Sequence, residues 1–533
     1  MRKEPQRFGW ICRRTPDADG RLGPRRTAAC VTERSGYRGE DRPAGSNAGE
    51  ASFPAAGRAA AGECFARVGK PISSGVFTQS GRPGADADVS EDHFVRCVCC
   101  VALAALWFTS AATAQERPRA FVGARLIPIS QPEIPDGVLV IQRGKITAIG
   151  PKDSVEIPEG AEQIDASDKV IMPGLVCTHS HVGGGWGGDR SGAIHPDCRI
   201  LDSINIRDSG LQKAQAGGLT TLNVMPGSGH LLSGQTIYVK LKDGRTIEDL
   251  AIRSDAGEIL GGMKMANGTN SRGDSPFPGT RGKAAAMVRS QFIKAQEYKR
   301  KLAESENDPD KRPERDLSME GLVDVLEGRR VVHFHTHRHD DIITAIRLSK
   351  EFGFKLVLHH LSEGDMVAEE IAASGAGCSI ILVDSPGGKL EAQNLMFDTG
   401  AVLEKAGALT AFHTDDPITD SRLFLRMAAL AVRGGMSRVK ALEGLTIAPA
   451  RMIELDQRIG SLDVGKDADF IVLTGDPLSV YTKVLLTYVE GKKVFDRSNA
   501  KDRLYAVGGY GAGVDHIMIM CCHEDHDHQS EGH

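Results

Sequence analysis

Between residues 173 and 455 the chain alternates short apolar runs of strand length with stretches of helical period, and this rhythm restricts the fold more than any other feature. The strand-like runs are 171–181, 220–225, 331–337, 355–360, 378–383 and 409–415, and residues 340–352 and 365–373 are helical stretches between them. Strands joined through helices run parallel, because the crossover carries the chain back to its starting side. About 280 residues of such units suit a (β/α)8 barrel, in which chemistry collects at the C-terminal ends of the strands. Four of the runs end in histidine or aspartate at that end.

The first of them, Ile171-Met-Pro-Gly-Leu-Val-Cys-Thr-His179-Ser-His181, sets two imidazoles two positions apart. In a strand the side-chain period is two, so both rings point the same way and can grip one ion. With 17 histidines in 533 residues a single such pair is weak evidence, and its weight comes from the later runs. These supply His335 within His333-Phe-His335-Thr-His337, His360 within His359-His360, and Asp415 within His413-Thr-Asp415-Asp416. Imidazole and carboxylate are the ligands of zinc sites that keep a position open for water. His333, His335 and His337 share one face by period, so period does not choose among them. His339, His359 and His413 read as ordinary hydrogen-bonded histidines, although His413 faces the same side as Asp415.

Short Val/Ile/Leu runs broken by turn residues fill 119–171, and similar runs return at 468–473 and 483–495. Strands at both ends of the chain can pair into one small β domain that brackets the part between. The 41% hydrophobic and 25% charged composition is that of a globular protein, and a formal net charge of -5 offers no broad basic surface for nucleic acid. Residues 282–330 read as a charged helical insertion facing solvent. Residues 1–94 are Arg-rich without an apolar period and read as disordered or as a mis-annotated extension. Residues 95–114 have the basic flank, apolar stretch and Ala-x-Ala end of a secretory signal, which predicts a periplasmic or secreted protein. That signal lies far from Met1, so translation is expected to start at a non-Met codon near Val89 or Val95. The other reading of this run is a short membrane anchor, but roughly a dozen apolar residues are short for a span. Of 11 cysteines, five follow the predicted cleavage point, and they show no disulfide framework. The tail, 498–533, is Gly-rich and ends Cys521-Cys-His-Glu-Asp-His-Asp-His528, which can bind borderline metals.

Taken in order, Pro173-Gly-Leu-x3-His-x-His, His335, His360, Thr414-Asp415 and Gly460-Ser-Leu-x2-Gly-Lys-x-Ala-Asp469 resemble the amidohydrolase superfamily, in its imidazolonepropionase- and prolidase-like branch. The resemblance runs from 119 to about 497. It implies an α/β fold, a distorted TIM barrel over 173–455, with a small composite β-sandwich from 119–172 and 456–497. It also implies metal-dependent hydrolysis of carbon–nitrogen bonds. His179, His181, His335 and His360 would be metal ligands, and Asp415 both a ligand and the general base and acid. Zinc is the expected ion, one or two per chain, and it would lower the pKa of bound water towards ~7. Lys264 falls where binuclear relatives carry a carbamylated bridging lysine, and an unmodified ammonium cannot ligate. His337 is expected nearer the substrate, with His230, Gln235 and Arg281 as further substrate contacts from two Gly/Pro-rich loops, Arg281 facing a carboxylate. A metal-dependent deaminase and a non-catalytic metal-binding protein are the alternatives. The partner implied is a small-molecule substrate, with no nucleic acid and no membrane span left after signal cleavage, and a homo-oligomer is compatible with the sequence.

Overall fold

A computed structural model describes residues 117–185, 188–382 and 389–508. The 1–94 extension, the 95–114 signal and the Cys/His-rich end of the tail lie outside the described residues. The strands in chain order are β1 (Arg119–Leu126), β2 (Ile134–Gln142), β3 (Lys145–Pro151), β4 (Glu162–Asp165) and β5 (Val170–Pro173). Then come β6 (Leu175–Ser180), β7 (Leu219–Val224), β8 (Leu232–Gln235), β9 (Ile237–Lys240), β10 (Met263–Ala266), β11 (Val332–Thr336), β12 (Leu356–His360), β13 (Gly377–Ile380) and β14 (Thr410–Phe412). Last are β15 (Phe470–Leu473), β16 (Val484–Val489) and β17 (Lys492–Asp496).

Strands from both ends of this stretch share one eight-stranded sheet, ordered β17-β16-β15-β5-β1-β2-β3 with β4 on β1. Its joint is β5, Val-Ile-Met-Pro, which is buried throughout and pairs with β1 on one edge and antiparallel with β15 on the other. Three aromatic rings pack together within the largely aliphatic core of this sheet. Phe470 stacks on Tyr488 with centroids 4.6 Å apart, and Phe121 meets both edge-on at 5.0 and 5.4 Å. Such pairs contribute about 0.5–1.5 kcal/mol each beyond the area they bury. The structure records a single sheet here where the resemblance implied a sandwich.

The remaining strands form a six-stranded sheet, β14-β13-β12-β11-β10-β8, and a three-stranded sheet, β6-β7-β9. β10 to β14 are parallel neighbours, and so are β6 and β7. Their side chains are buried on both faces, as parallel strands covered by helices require. Helices His339–Phe352 and Ala368–Ser374 supply two of these crossovers, and each ends on a glycine in the left-handed region, Gly353 at φ 75° and Gly375 at φ 71°. That conformation carries no Cβ penalty at glycine and turns the chain straight into the next strand. One departure from the parallel expectation is the run 232–240: β8 is antiparallel to β10, and β9 is antiparallel to β7. The last strand and the first are stitched at their ends, where Asp415 N–H donates to His179 O at 3.0 Å and His181 N–H donates to Asp416 O at 3.1 Å.

The charged insertion is more than a solvated face. Helix Arg281–Glu304 buries Ala284, Val288, Phe292, Ala295 and Tyr298, a stripe of helical period, and Phe292 stacks on Phe352 and Phe354 at 5.0 and 5.2 Å.

A buried ion triad ties β9 to the segment before β15. Lys240 Nζ lies 2.8 Å from Asp467 Oδ2 and also donates to Asp469 Oδ2, with its side chain 2% exposed. Lys145 and Arg458 add further donors to Asp467. Its carboxyl is pushed down to about 2, because these cations outweigh the burial that would raise it.

Candidate metal centre

The parallel register sets the strand ends level: Ala266 pairs with His335, His335 with His359, and Thr336 with His360. The histidines that end β6, β11 and β12 therefore emerge at one end of the sheets. There the chain departs from strand geometry, with His360, Leu361 and Asp415 at φ 73°, 56° and 52°. Positive φ in non-glycine residues costs about 1–3 kcal/mol each and gathers where a side chain has to be re-aimed.

Three groups of ligand atoms meet in the cluster: His179, His181 and Asp415; His179, His360 and His413; and His335, His337 and His360. In the first, His179 Nε2 and His181 Nε2 are 3.2 Å apart, and Asp415 Oδ1 lies 3.0 and 2.9 Å from them. A tetrahedral ion with bonds of about 2.0–2.1 Å has ligand atoms about 3.3–3.4 Å apart, so these three atoms stand at the spacing of a ligand set. The ring of His360 is 5.1 Å from that of His179 and 4.2 Å from that of His335. Lys264, on β10, reaches the same place, its Nζ 3.1 Å from His179 Nε2.

All these side chains are buried, yet several ring nitrogens have no hydrogen-bond partner among the described residues: both of His360, and Nε2 of His337 and His413. Buried polar atoms are normally paired, and an unpaired one needs a reason. A divalent ion gives it, because an imidazole lone pair directed at a metal makes no hydrogen bond. The other face of several rings is fixed as metal ligands commonly are. His181 Nδ1 donates to Met225 O at 2.8 Å, His337 Nδ1 lies 2.7 Å from Ser362 Oγ, and His413 Nδ1 lies 3.0 Å from Ser379 Oγ.

Electrostatics suit the same role. Burial holds His179, His335, His337, His359 and His360 well below the ordinary histidine value, and His333 and His413 are pushed down to about 3, so the rings are neutral and able to ligate. Burial alone would raise the Asp415 carboxyl, but His179 and His181 beside it bring it well below the usual range. Its neighbour Asp416 goes the other way, up to about 6 through burial, and accepts from Ser421 N–H at 2.8 Å. Asp416 thus braces the loop after β14.

The structure places the other candidates differently. Gln235 Nε2 donates to Pro196 O at 3.0 Å and so holds the 195–199 segment. His230 is buried, with its ring 5.7 Å from His195 and 5.3 Å from Phe277. Arg281 opens the long helix and pairs with Asp341 at 2.8 Å and Glu391 at 3.2 Å. His413 and His359, expected as ordinary hydrogen-bonded histidines, do hydrogen-bond, and both stand against the cluster. His413 stacks on His179 with centroids 4.9 Å apart, and its position two residues before Asp415 was the available signal. His359 Nε2 lies 3.0 Å from His333 Nδ1, and Tyr238 Oη continues that chain at 3.2 Å from His333 Nε2, behind the ligand cluster. Asn270 and Lys389, both against His335, carried no signal.

A sequence profile of the amidohydrolase family matches residues 170–494, more than half of the chain. A solved structure of an amidohydrolase from Thermotoga maritima aligns with a TM-score of 0.66 at 31% identity, covering 71% of this chain and 100% of that one. Amidohydrolase tasK of Hapsidospora irregularis is 27% identical over 68% of this chain, and the match spans only 40% of that protein's length. From Symbiobacterium thermophilum, a 5-methylthioadenosine/S-adenosylhomocysteine deaminase matches at 22% identity over 68% of this chain and 89% of its own length. An imidazolonepropionase from the same organism matches at 24% over 64% and 84%.

Proposed function

The chain belongs to the amidohydrolase family of metal-dependent hydrolases, and from that membership we propose that it cleaves a carbon–nitrogen bond of a small molecule, an amide, cyclic amide or dipeptide. The observation that carries this reading is the meeting of two imidazole nitrogens and a carboxylate oxygen within 3.2 Å, beside buried rings whose nitrogens lack partners. The ligands are His179, His181, His335, His360 and Asp415, and the ion is zinc, one or two per chain, with Lys264 joining if carbamylated. A divalent ion there supplies Lewis acidity, which lowers the pKa of water towards ~7 and polarises a carbonyl.

The side chains do the rest. Asp415, kept ionised by the neighbouring imidazoles, takes the proton of the attacking water and hands it to the departing nitrogen. Neutral rings around it do not compete as acids. His337, anchored by Ser362 at one nitrogen and without a partner at the other, faces the substrate. Deamination of an aminated ring is the second reading, and the deaminase relative favours it.

In the same proposal the three- and six-stranded sheets form the wall of one distorted (β/α)8 barrel over 173–455, and the eight-stranded sheet is the composite β domain. Residues 95–114 act as an export signal, so N-terminal sequencing of the cellular protein is expected to begin at Gln115. A start before residue 89 contradicts export. The functional test is metal analysis with a screen of N-acyl amino acids, X-Pro dipeptides, cyclic ureides and aminated rings. Zinc at one or two per chain with cleavage of a C–N bond in the first three groups supports the proposal. Ammonia release from the aminated rings alone moves the assignment to deaminase.

A further inference from the structure

Two donors converge on one nitrogen of the cluster: Asn270 Nδ2 lies 3.1 Å from His335 Nε2, and Lys389 Nζ lies 3.3 Å from it. An ammonium can only donate, so Nε2 carries the lone pair and is the nitrogen through which His335 ligates. A lone pair given to a metal can no longer accept from these two groups. Loading the centre therefore leaves an amide and an ammonium in need of a new acceptor. Lys389 has little access to solvent for it, since its side chain is 5% exposed. A buried donor left without an acceptor is costly, more so when charged.

Protein groups meet this need only in part. Glu391 Oε1 is 3.6 Å from Lys389 Nζ, but that carboxylate also accepts from Thr269 N–H at 3.0 Å and from Arg281 at 3.2 Å. Arg281 is held in turn by Asp341 at 2.8 Å. Charges alternate along Asp341, Arg281, Glu391 and Lys389, and the row ends on a cation at the metal cluster. Arg281, the sequence-level candidate for a substrate carboxylate, is engaged inside that row, and Lys389 is its end that faces the chemistry.

We infer that Lys389 and Asn270 form a subsite for a carboxylate on the substrate, as in an N-acyl amino acid or a dipeptide; this rests on the hydrolase reading above. A carboxylate offers two oxygens with about four lone-pair positions, enough to accept from both donors at once, and charge-assisted hydrogen bonds are the strong ones. The group would bind substrate and set its orientation without taking part in bond cleavage.

The test uses the zinc-loaded full chain and 4-oxopentanoate, which has the carbonyl-to-carboxylate spacing of N-acetylglycine but no C–N bond to cleave. Its neutral counterpart is 5-hydroxy-2-pentanone. Calorimetric titration is expected to show the acid bound about tenfold or more tighter than the alcohol, the size of one charge-assisted hydrogen bond. Lys389→Gln is expected to erase that preference at unchanged zinc content, and Lys389→Arg to restore part of it. No preference in the zinc-loaded wild type, or a full preference surviving in Lys389→Gln, overturns the subsite and leaves the hydrolase reading standing. A wild type that retains no zinc overturns both.

Discussion

Two of the buried polar clusters among the described residues differ in one respect. Around Lys240 the charges close on each other: one ammonium is shared by two carboxylates, with further cations on Asp467. Around His179 and His360 they do not close, and buried imidazole nitrogens lack partners among the described residues. Desolvating polar groups is costly in both places. The first cluster meets that cost with protein alone, which is the mark of architecture. The second meets it only when a ligand arrives, which is the mark of a site.

The largest effect is expected at Asp415. Asp415→Asn should lower kcat by a factor on the order of 10²–10⁴, the usual weight of a general acid–base group, while metal analysis shows zinc largely retained. Equal activity in the variant breaks the proposed proton role. Next comes Lys240→Ala, which removes the cation that two buried carboxylates share and should cost about 3–5 kcal/mol in urea unfolding. Activity per folded molecule should be unchanged, and a variant that lost activity but not stability would invert the comparison.

Stripping zinc with a chelator should lower stability by about 2.7 kcal/mol for each hundredfold by which free metal had exceeded its Kd. In His360→Ala protein that increment should shrink, whereas the Lys240 variant should keep it. Acid separates the clusters by the pH at which each loses its contribution. In metal-free protein His333 and His413 stay neutral down to about pH 3, while in the unfolded chain they take up protons below about 6.5. Stability should thus fall as pH drops from 6.5 towards 3. Asp467 has a lowered carboxyl, so its contribution is whole above the ordinary 3.8 and is lost as pH falls through about 2. Urea titrations across pH should show the second loss reduced in Lys240→Ala, where Lys145 and Arg458 alone hold the carboxyl down.

Much of the site was legible because strand period is a local property: His179 and His181 face one way whatever surrounds them. The shared sheet of β5 and β15 was legible in outline because apolar runs bounded by turns recur at both ends of the chain. What escaped depends on distant partners. Arg281 was read from a Pro/Gly loop, but its role is set by Asp341 and Glu391, 60 and 110 positions away. The antiparallel run 232–240 was read partly as a loop, since Ser233 and Gly234 have little strand propensity, and pairing with β10 overrides it. Lys389 follows no period, and only the folded chain brings it to His335.

X-ray absorption at the zinc edge on dialysed, full-length protein reads the ligand shell itself. A first shell of nitrogen and oxygen only is expected, at about 2.0–2.1 Å, with the outer-shell pattern of several imidazoles. A sulfur shell near 2.3 Å, which would place the ion on a cysteine and not on the imidazole cluster, or protein that keeps no zinc at all, refutes that assignment.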